Sequence, residues 1–535
     1  MLGKKPAQAT QPLFVGYASA GYCGRSFIEK KEQNMAAETS GEATYGTSLT
    51  KAEPYGTEQI PDVERHGSPR SQFTLWFAAN MVLAVMVSGF FSAQFGLSVV
   101  QGLTAVAAGT LCGVLVMGLL AGIGSKLGVP QQVQGRGPMG FYGNYLPITL
   151  LTIVSAIGWT AVNTVFAVIA LQVLADINFA LAAALMFAVQ AVFAVWGHNV
   201  VHVVNKVATV VLTVLFLVIS VLSMREADFT LASNPDAGSY MGPVAGWITF
   251  AGFFFAYVMT WTPFASDFSR YLPRRTPHSK VVLYTAGGSF LALTWLGSIG
   301  VLVSSFAGEL DAIPALAQLT GSWAPIAMIT VVLSTIPVSA MNLYGGALSL
   351  LTLKVPVSRI VAVVIVAVVS LGMTLLMQDD PYGGFYNFLS VLAYLVVPFS
   401  TVLLLDYYFR MRKPAVDSSV ELYNTGRRFE WGFFAWIGGC LISMLFWDTE
   451  LLVGPFAELS RSVGDLGFLA GILGAGVLYM LTYRLPVPTG LLRTRKAARQ
   501  QAEAEAAAEA DADASATAPE TKPAVETKPT AELEG

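Results

Sequence analysis

The chain has 535 residues, of which 54% are hydrophobic and only 12% charged. Soluble proteins of this length carry about twice that charge and split into several domains, so a water-soluble assembly is excluded. The net charge of −3 decides little, because in a membrane protein the placement of charge sets the topology.

Residues 1–70 are polar and rich in Gly, Ser, Glu and Pro, which predicts a disordered cytoplasmic tail. Met35 opens Ala36-Ala37-Glu38-Thr39-Ser40, which reads as an ordinary cytoplasmic N-terminus, so residues 1–34 are expected to come from a mis-assigned start. Twelve apolar spans follow within a transporter domain at 71–484. They are predicted at 73–98, 102–124, 145–173, 179–196, 200–223, 244–266, 281–306, 322–352, 357–378, 383–405, 430–447 and 465–483. A bilayer crossing takes about 20 apolar residues. Phe73 to Leu120 holds no Asp, Glu, Lys or Arg, room for two crossings. Residues 485–535 are an Ala/Glu/Asp/Pro segment with no means of forming a core, a second disordered cytoplasmic tail.

Charge alternates from loop to loop. One set of loops carries Lys126 and Arg136, Lys206, Arg270 to Lys280, Lys354 and Arg359, and Arg410 to Arg428. The other carries Asp176, Glu226 to Asp236, Glu309 and Asp311, Asp379 and Asp380, and Asp448 to Asp465. The positive-inside rule puts the basic set and both termini in the cytoplasm, in a multi-pass protein of the cell (plasma or inner) membrane.

Three spans carry helix-interrupting residues: Ser88-Gly89 in span 1, Thr260-Trp261-Thr262-Pro263 in span 6, and Ser334-Thr335-Ile336-Pro337 with Ser339 in span 8. Proline removes a backbone donor and clashes with the preceding turn. Spans 1 and 6 lie five apart, and a five-span repeat reverses its orientation on the second copy. Interrupted segments at matching places in two halves point to a transporter's central site, the competing reading being ordinary packing kinks.

Four segments carry a family resemblance: Trp76-Phe77-Ala78-Ala79-Asn80 with Gly89 and Phe95-Gly96-Leu97; Gly158 to Asn163; Ala265-Ser266-Asp267-Phe268-Ser269-Arg270-Tyr271-Leu272-Pro273; and Asn342-Leu343-Tyr344. On these, over about residues 70–480, the chain resembles the nucleobase–cation symporter family, in its purine–cytosine permease branch. The resemblance implies an all-α fold of about twelve transmembrane helices, with a five-plus-five inverted-repeat core and broken helices 1 and 6. It implies a substrate site between spans 1, 3, 6 and 8, and import of a purine or pyrimidine nucleobase by alternating access, coupled to Na+ or H+. Alternatives on the same fold are an allantoin, hydantoin or thiamine permease, or a non-transporting nutrient sensor.

A flat heterocycle needs aromatic faces and a few amides or hydroxyls for its edge. Trp159, in the middle of span 3, is the candidate stacking residue. Tyr257 or Trp261 of span 6 supplies the second face, with Phe254 a further candidate. Asn163, Asn342, Ser88 and Gly89 complete the substrate set, and Asn80 is a third amide inside a span. Cytosine-selective relatives are expected to carry Gln three residues before the span 3 Trp, and Ala156 stands there instead, which directs the reading toward a purine or another ring. Ser334, Thr335 and Ser339 offer oxygens to a hard cation. Asp267, beyond span 6, is assigned an ion pair with Arg270 or a helix-end contact. No cofactor, metal or nucleic acid is expected; the partners are the heterocycle and the bilayer. The four His and three Cys residues form no catalytic constellation, and no enzyme activity is expected.

Overall fold

The computed structural model describes residues 46–47, 53–196, 198–231, 240–308, 310–412, 418–449 and 452–485. The expected C-terminal tail and mis-assigned start lie outside these residues. Among the described residues every regular element is helical. Nine helical segments among the described residues are long and apolar enough to cross a membrane, and two bent pairs pass the same test jointly. With the apolar helix Trp431–Met444, shorter than those spans, the set is consistent with the expected twelve. In order the spans are Arg70–Asn80 with Leu83–Phe95, Val99–Leu127, Tyr145–Leu174, Phe179–Trp196, Asn199–Glu226, Pro243–Phe264, His278–Ser304, Ala312–Thr352, Arg359–Leu376, Pro381–Met411, Trp431–Met444, and Ala457–Val463 with Gly467–Thr482. In the last pair the short piece is turned 116° from the long one, so it runs across the bundle rather than along it.

The packing repeats with a period of five spans. Span 2 packs on span 6, and span 7 on span 1; span 3 packs on span 9, and span 8 on span 4; span 5 packs on spans 1 and 8, and span 10 on spans 6 and 3. Each contact recurs when five is added to both members and the ten core spans are counted round as a cycle, so that span 11 becomes span 1, as an inverted repeat requires. Spans 11 and 12 pack on each other, and span 12 on span 10, outside this scheme. Spans 3, 6 and 8 are more than 70% buried, whereas spans 4, 5 and 9 are a third buried or less, which places the first three at the centre.

Span 1 is broken by 59°. The break is at Met81-Val82, not at Ser88-Gly89: Val82 is extended and the helix restarts at Leu83. Irregular backbone at membrane depth survives only where protein covers it, and Met81 and Val82 are buried. Gly89 has a packing role instead, since an added Cβ would overlap the Gly297 carbonyl of span 7. Gly300 meets Met86 O, Gly288 meets Phe73 O, and Gly109 meets Ala251 O in the same manner, so spans 1 and 7, and spans 2 and 6, touch backbone to backbone.

Span 6 breaks where predicted. Its α-helix ends at Met259, and Thr262–Phe264 continues as a single 3₁₀ turn. The Thr260 hydroxyl donates to Tyr257 O at 2.7 Å and the Thr262 hydroxyl to Met259 O at 2.6 Å. Hydroxyls here take up carbonyls that a continued helix would have used. Span 8 departs from expectation: Ala324–Thr352 is one α-helix with Pro337 inside it.

Residues 53–69 also differ from the predicted disordered tail. Glu53, Tyr55, Ile60, Glu64 and Arg65 are buried. Ile60 N–H donates to Gly128 O at 2.9 Å, Arg65 donates to Ser125 O at 3.0 Å, and the Tyr423 hydroxyl donates to Thr57 O at 2.6 Å. Polar composition signalled solvation, but these polar groups find partners in distant loops.

Candidate functional site

Trp159 lies in an aromatic cluster built from three spans. Its ring centroid is 4.9 Å from Tyr257 of span 6, and 5.8 Å and 5.7 Å from Phe385 and Phe388 of span 10. All three contacts are edge-on, the geometry favoured by the ring quadrupoles. Gly158 makes room for this arrangement, because any Cβ there would overlap the Phe388 ring. The two span 10 phenylalanines were not foreseen. The signal available was the aromatic-rich stretch Tyr382 to Phe388 at the start of span 10.

Spans 3 and 8 run antiparallel, and one tight contact fixes their register: a Cβ on Gly346 would lie 2.8 Å from that of Ala156. Seven residues are about two helical turns, or roughly 10 Å. Counting seven from each contact residue toward the acidic end brings Asn163 and Ser339 to one level on the facing sides. Trp159 and Asn342 fall on the level between. Neither amide atom of Asn163 or Asn342 has a hydrogen-bond partner within the protein, and neither has the Ser339 hydroxyl. Asn163 and Asn342 are each 1% exposed. A buried amide without a bond costs about 1–3 kcal/mol by mutational measures. Two helices thus present unpaired donors and acceptors beside an aromatic cluster.

The other predicted residues are placed differently. Trp261 does not share a helical face with Tyr257, because the helix has ended between them; its Nε1–H donates to Asn80 Oδ1 at 3.1 Å and its ring lies 5.4 Å from Trp76. Asn80 is fully engaged, since its Nδ2 also donates to Trp76 O at 2.8 Å. Phe254 is fully buried and points at Gly297 and Phe250, away from Trp159. The Ser88 hydroxyl donates to Ala84 O of its own helix at 2.9 Å. Among the predicted cation ligands, Ser334 and Thr335 donate to Val331 O and Val332 O at 2.7 and 2.8 Å, which leaves Ser339 as the unengaged hydroxyl.

The basic end of the bundle is sealed. Asp267 does not pair with Arg270. It accepts from Gln131 N–H at 2.8 Å and Gln132 Nε2 at 2.9 Å, which ties the segment after span 6 to the loop after span 2. Burial raises its carboxyl from 3.8 to about 7, against the opposing pull of Gln132, Gln131 and Arg270. Toward the acidic end a small cleft is lined by Phe95, Tyr240, Phe253, Tyr386, Tyr394 and Asp465, among others. Phe91, stacked on Phe385 at 6.2 Å and edge-on to Phe253 at 5.9 Å, lies among the rings between it and Trp159.

Residues 59–474 match the family of permeases for cytosine/purines, uracil, thiamine and allantoin. The chain belongs to this family. Among curated relatives of the permease, YxlA of Bacillus subtilis, whose name provisionally assigns it to the purine-cytosine permeases, is 29% identical, covering 80% of this chain and 95% of its own. A hydantoin permease of Microbacterium maritypicum is 24% identical over 82% of this chain and 90% of its own. The fold is that of Mhp1, a nucleobase-cation-symport-1 family transporter: in its closed conformation with bromovinylhydantoin bound it superposes with a TM-score of 0.67 at 21% identity, covering 81% of the permease and 95% of Mhp1. Its inward-facing conformation gives a TM-score of 0.62.

Proposed function

We propose that this permease imports a purine or pyrimidine nucleobase by alternating access, coupled to a cation, and binds it between spans 3, 6 and 8. The observation that carries the reading is the pair of unpaired amides, Asn163 and Asn342, flanking Trp159 at the centre of the fold. A planar base satisfies both requirements at once: a face stacks on the aromatic cluster around Trp159, and its edge supplies the donors and acceptors the amides lack. Ala156, packed against Gly346, adds no polar contact to the ring edge. Ser334, Thr335 and Ser339 of span 8 keep oxygen lone pairs for a coupling Na+, and proton coupling is the alternative. The basic end faces the cytoplasm by the positive-inside rule, so the sealed end is the inner one and the cleft opens toward the outside.

The test is uptake of radiolabelled adenine, hypoxanthine, cytosine and uracil into proteoliposomes under an inward sodium gradient, an inward proton gradient, or neither. Gradient-driven uptake of one base, weakened by Trp159→Ala, supports the reading. Uptake of hydantoin or allantoin in place of any base would move the substrate within the family. Base uptake unaffected by Trp159→Ala would remove the site assignment.

A further inference from the structure

Among the described residues the most deeply buried ion pair involves a residue that precedes the family-matched region. Arg270 Nη2 and Glu53 Oε1 are 2.7 Å apart and both side chains are fully buried. The same Glu53 oxygen accepts from the Tyr271 hydroxyl at 2.6 Å and the Tyr344 hydroxyl at 3.0 Å. Arg270 also donates to the Tyr344 hydroxyl at 3.1 Å and to Gly56 O at 2.6 Å. One carboxylate of the N-terminal strap therefore joins the segment after span 6 to span 8, two residues from Asn342. The strap's other bonds hold it to the end of span 2 at Ser125 and Gly128, and to the loop between spans 10 and 11 at Tyr423.

These elements belong to different parts of the repeat scheme. Spans 2 and 6 pack together as one pair, and span 8 packs with spans 3, 4 and 9. For substrate to leave at the basic end the two groups must separate there, and Glu53 bridges the seam. A buried charge stripped of its partner is strongly penalised, so the pair is stable only while the seam is closed or when both members are hydrated together. We propose that Glu53 is a gating residue of the transport cycle, latching the basic end shut through Arg270 and Tyr344 and setting how often that end opens. It acts on the helices that carry the site and does not touch substrate. The proposal rests on the alternating-access reading, but not on the identity of the substrate.

Hydrogen–deuterium exchange of the full-length protein in lipid nanodiscs, without substrate, tests it. Wild type is compared with Glu53→Gln, which keeps the shape and removes the charge, and with Tyr344→Phe, which removes one hydroxyl and leaves the ion pair. Exchange in 262–272 and 340–352 should rise roughly tenfold or more in Glu53→Gln and by less in Tyr344→Phe, while 446–468 at the opposite end stays at the wild-type rate or slows. A rise confined to 53–65 would show the strap to be a passive cover and overturn the proposal. A rise at both ends would mark general loosening and overturn it equally. Should Glu53→Gln fail to accumulate, Tyr344→Phe decides alone: unchanged exchange at 262–272 counts against the latch. Because no substrate is present, a wrong nucleobase assignment leaves this outcome intact.

Discussion

Replacing Asn163 by leucine should make the permease more stable and less active. The two side chains share one branched heavy-atom skeleton, and Asn163 is buried with neither amide atom bonded. Removing an unsatisfied buried amide relieves about 1–3 kcal/mol. The substrate edge that met the amide is then left unpaired, which weakens binding by a similar amount, roughly 5- to 150-fold in apparent KM. Asn80→Leu is the matched control: its amide bonds Trp76 O and receives the Trp261 Nε1–H, so the change orphans an indole donor and should destabilise by about 1–3 kcal/mol. Thermal unfolding in detergent and initial uptake rates in proteoliposomes read the two quantities separately. If Asn163→Leu unfolds at a lower temperature than wild type, the amide has a partner in the resting protein and the argument for the site fails.

Trp159→Ala should raise KM for uptake by roughly 5- to 150-fold, from a lost stacking term of about 1–3 kcal/mol per base, with Trp159→Phe intermediate. Gly158→Ala should slow uptake while changing the unfolding temperature little, because the added methyl meets the rotatable Phe388 ring and tilts the cluster; Gly89→Ala should be far more damaging to stability, because it meets backbone at Gly297. Ser339→Ala and Ser334→Ala should each raise the half-saturating cation concentration in a sodium titration of uptake, because a hydroxyl that donates to a carbonyl still offers its lone pairs to a cation. Asp267 has a folded-state pKa of about 7 against 3.8 in the open chain. Its contribution to stability is therefore fully present below pH 3.8, falls as pH rises toward 7, and levels off above that. Comparing unfolding of wild type and Asp267→Asn across that range should show this slope only in wild type.

The spans were legible because lipid demands long apolar runs and because charges cannot cross freely, so both leave marks in composition. The centre was legible in part. Trp159, Asn163 and Asn342 stood out as large or polar groups at membrane depth, where each needs a reason. Phe385 and Phe388 did not, since phenylalanine is unremarkable in a span and only the folded-back position of span 10 brings them to Trp159. The span 1 break was misplaced for a related reason: glycine is the usual sign of an interrupted helix, but Gly89 is there for close packing, while Met81-Val82 has no local signature and is opened by its surroundings. Glu53 was hidden by distance along the chain, its partner Arg270 lying more than two hundred residues away.

The backbone-to-backbone glycine contacts have a mechanical consequence. Where Gly300 meets Met86 O and Gly109 meets Ala251 O, neighbouring helices mesh like gear teeth, and a displacement short of one full tooth drives atoms into each other. Spans 1 and 7, and spans 2 and 6, are thereby locked into levers that turn without shearing internally. The bearing surface on which they turn lies where rings meet rings, around Trp159, Tyr257 and Phe385, because flat side chains can swivel past one another while bare backbones cannot.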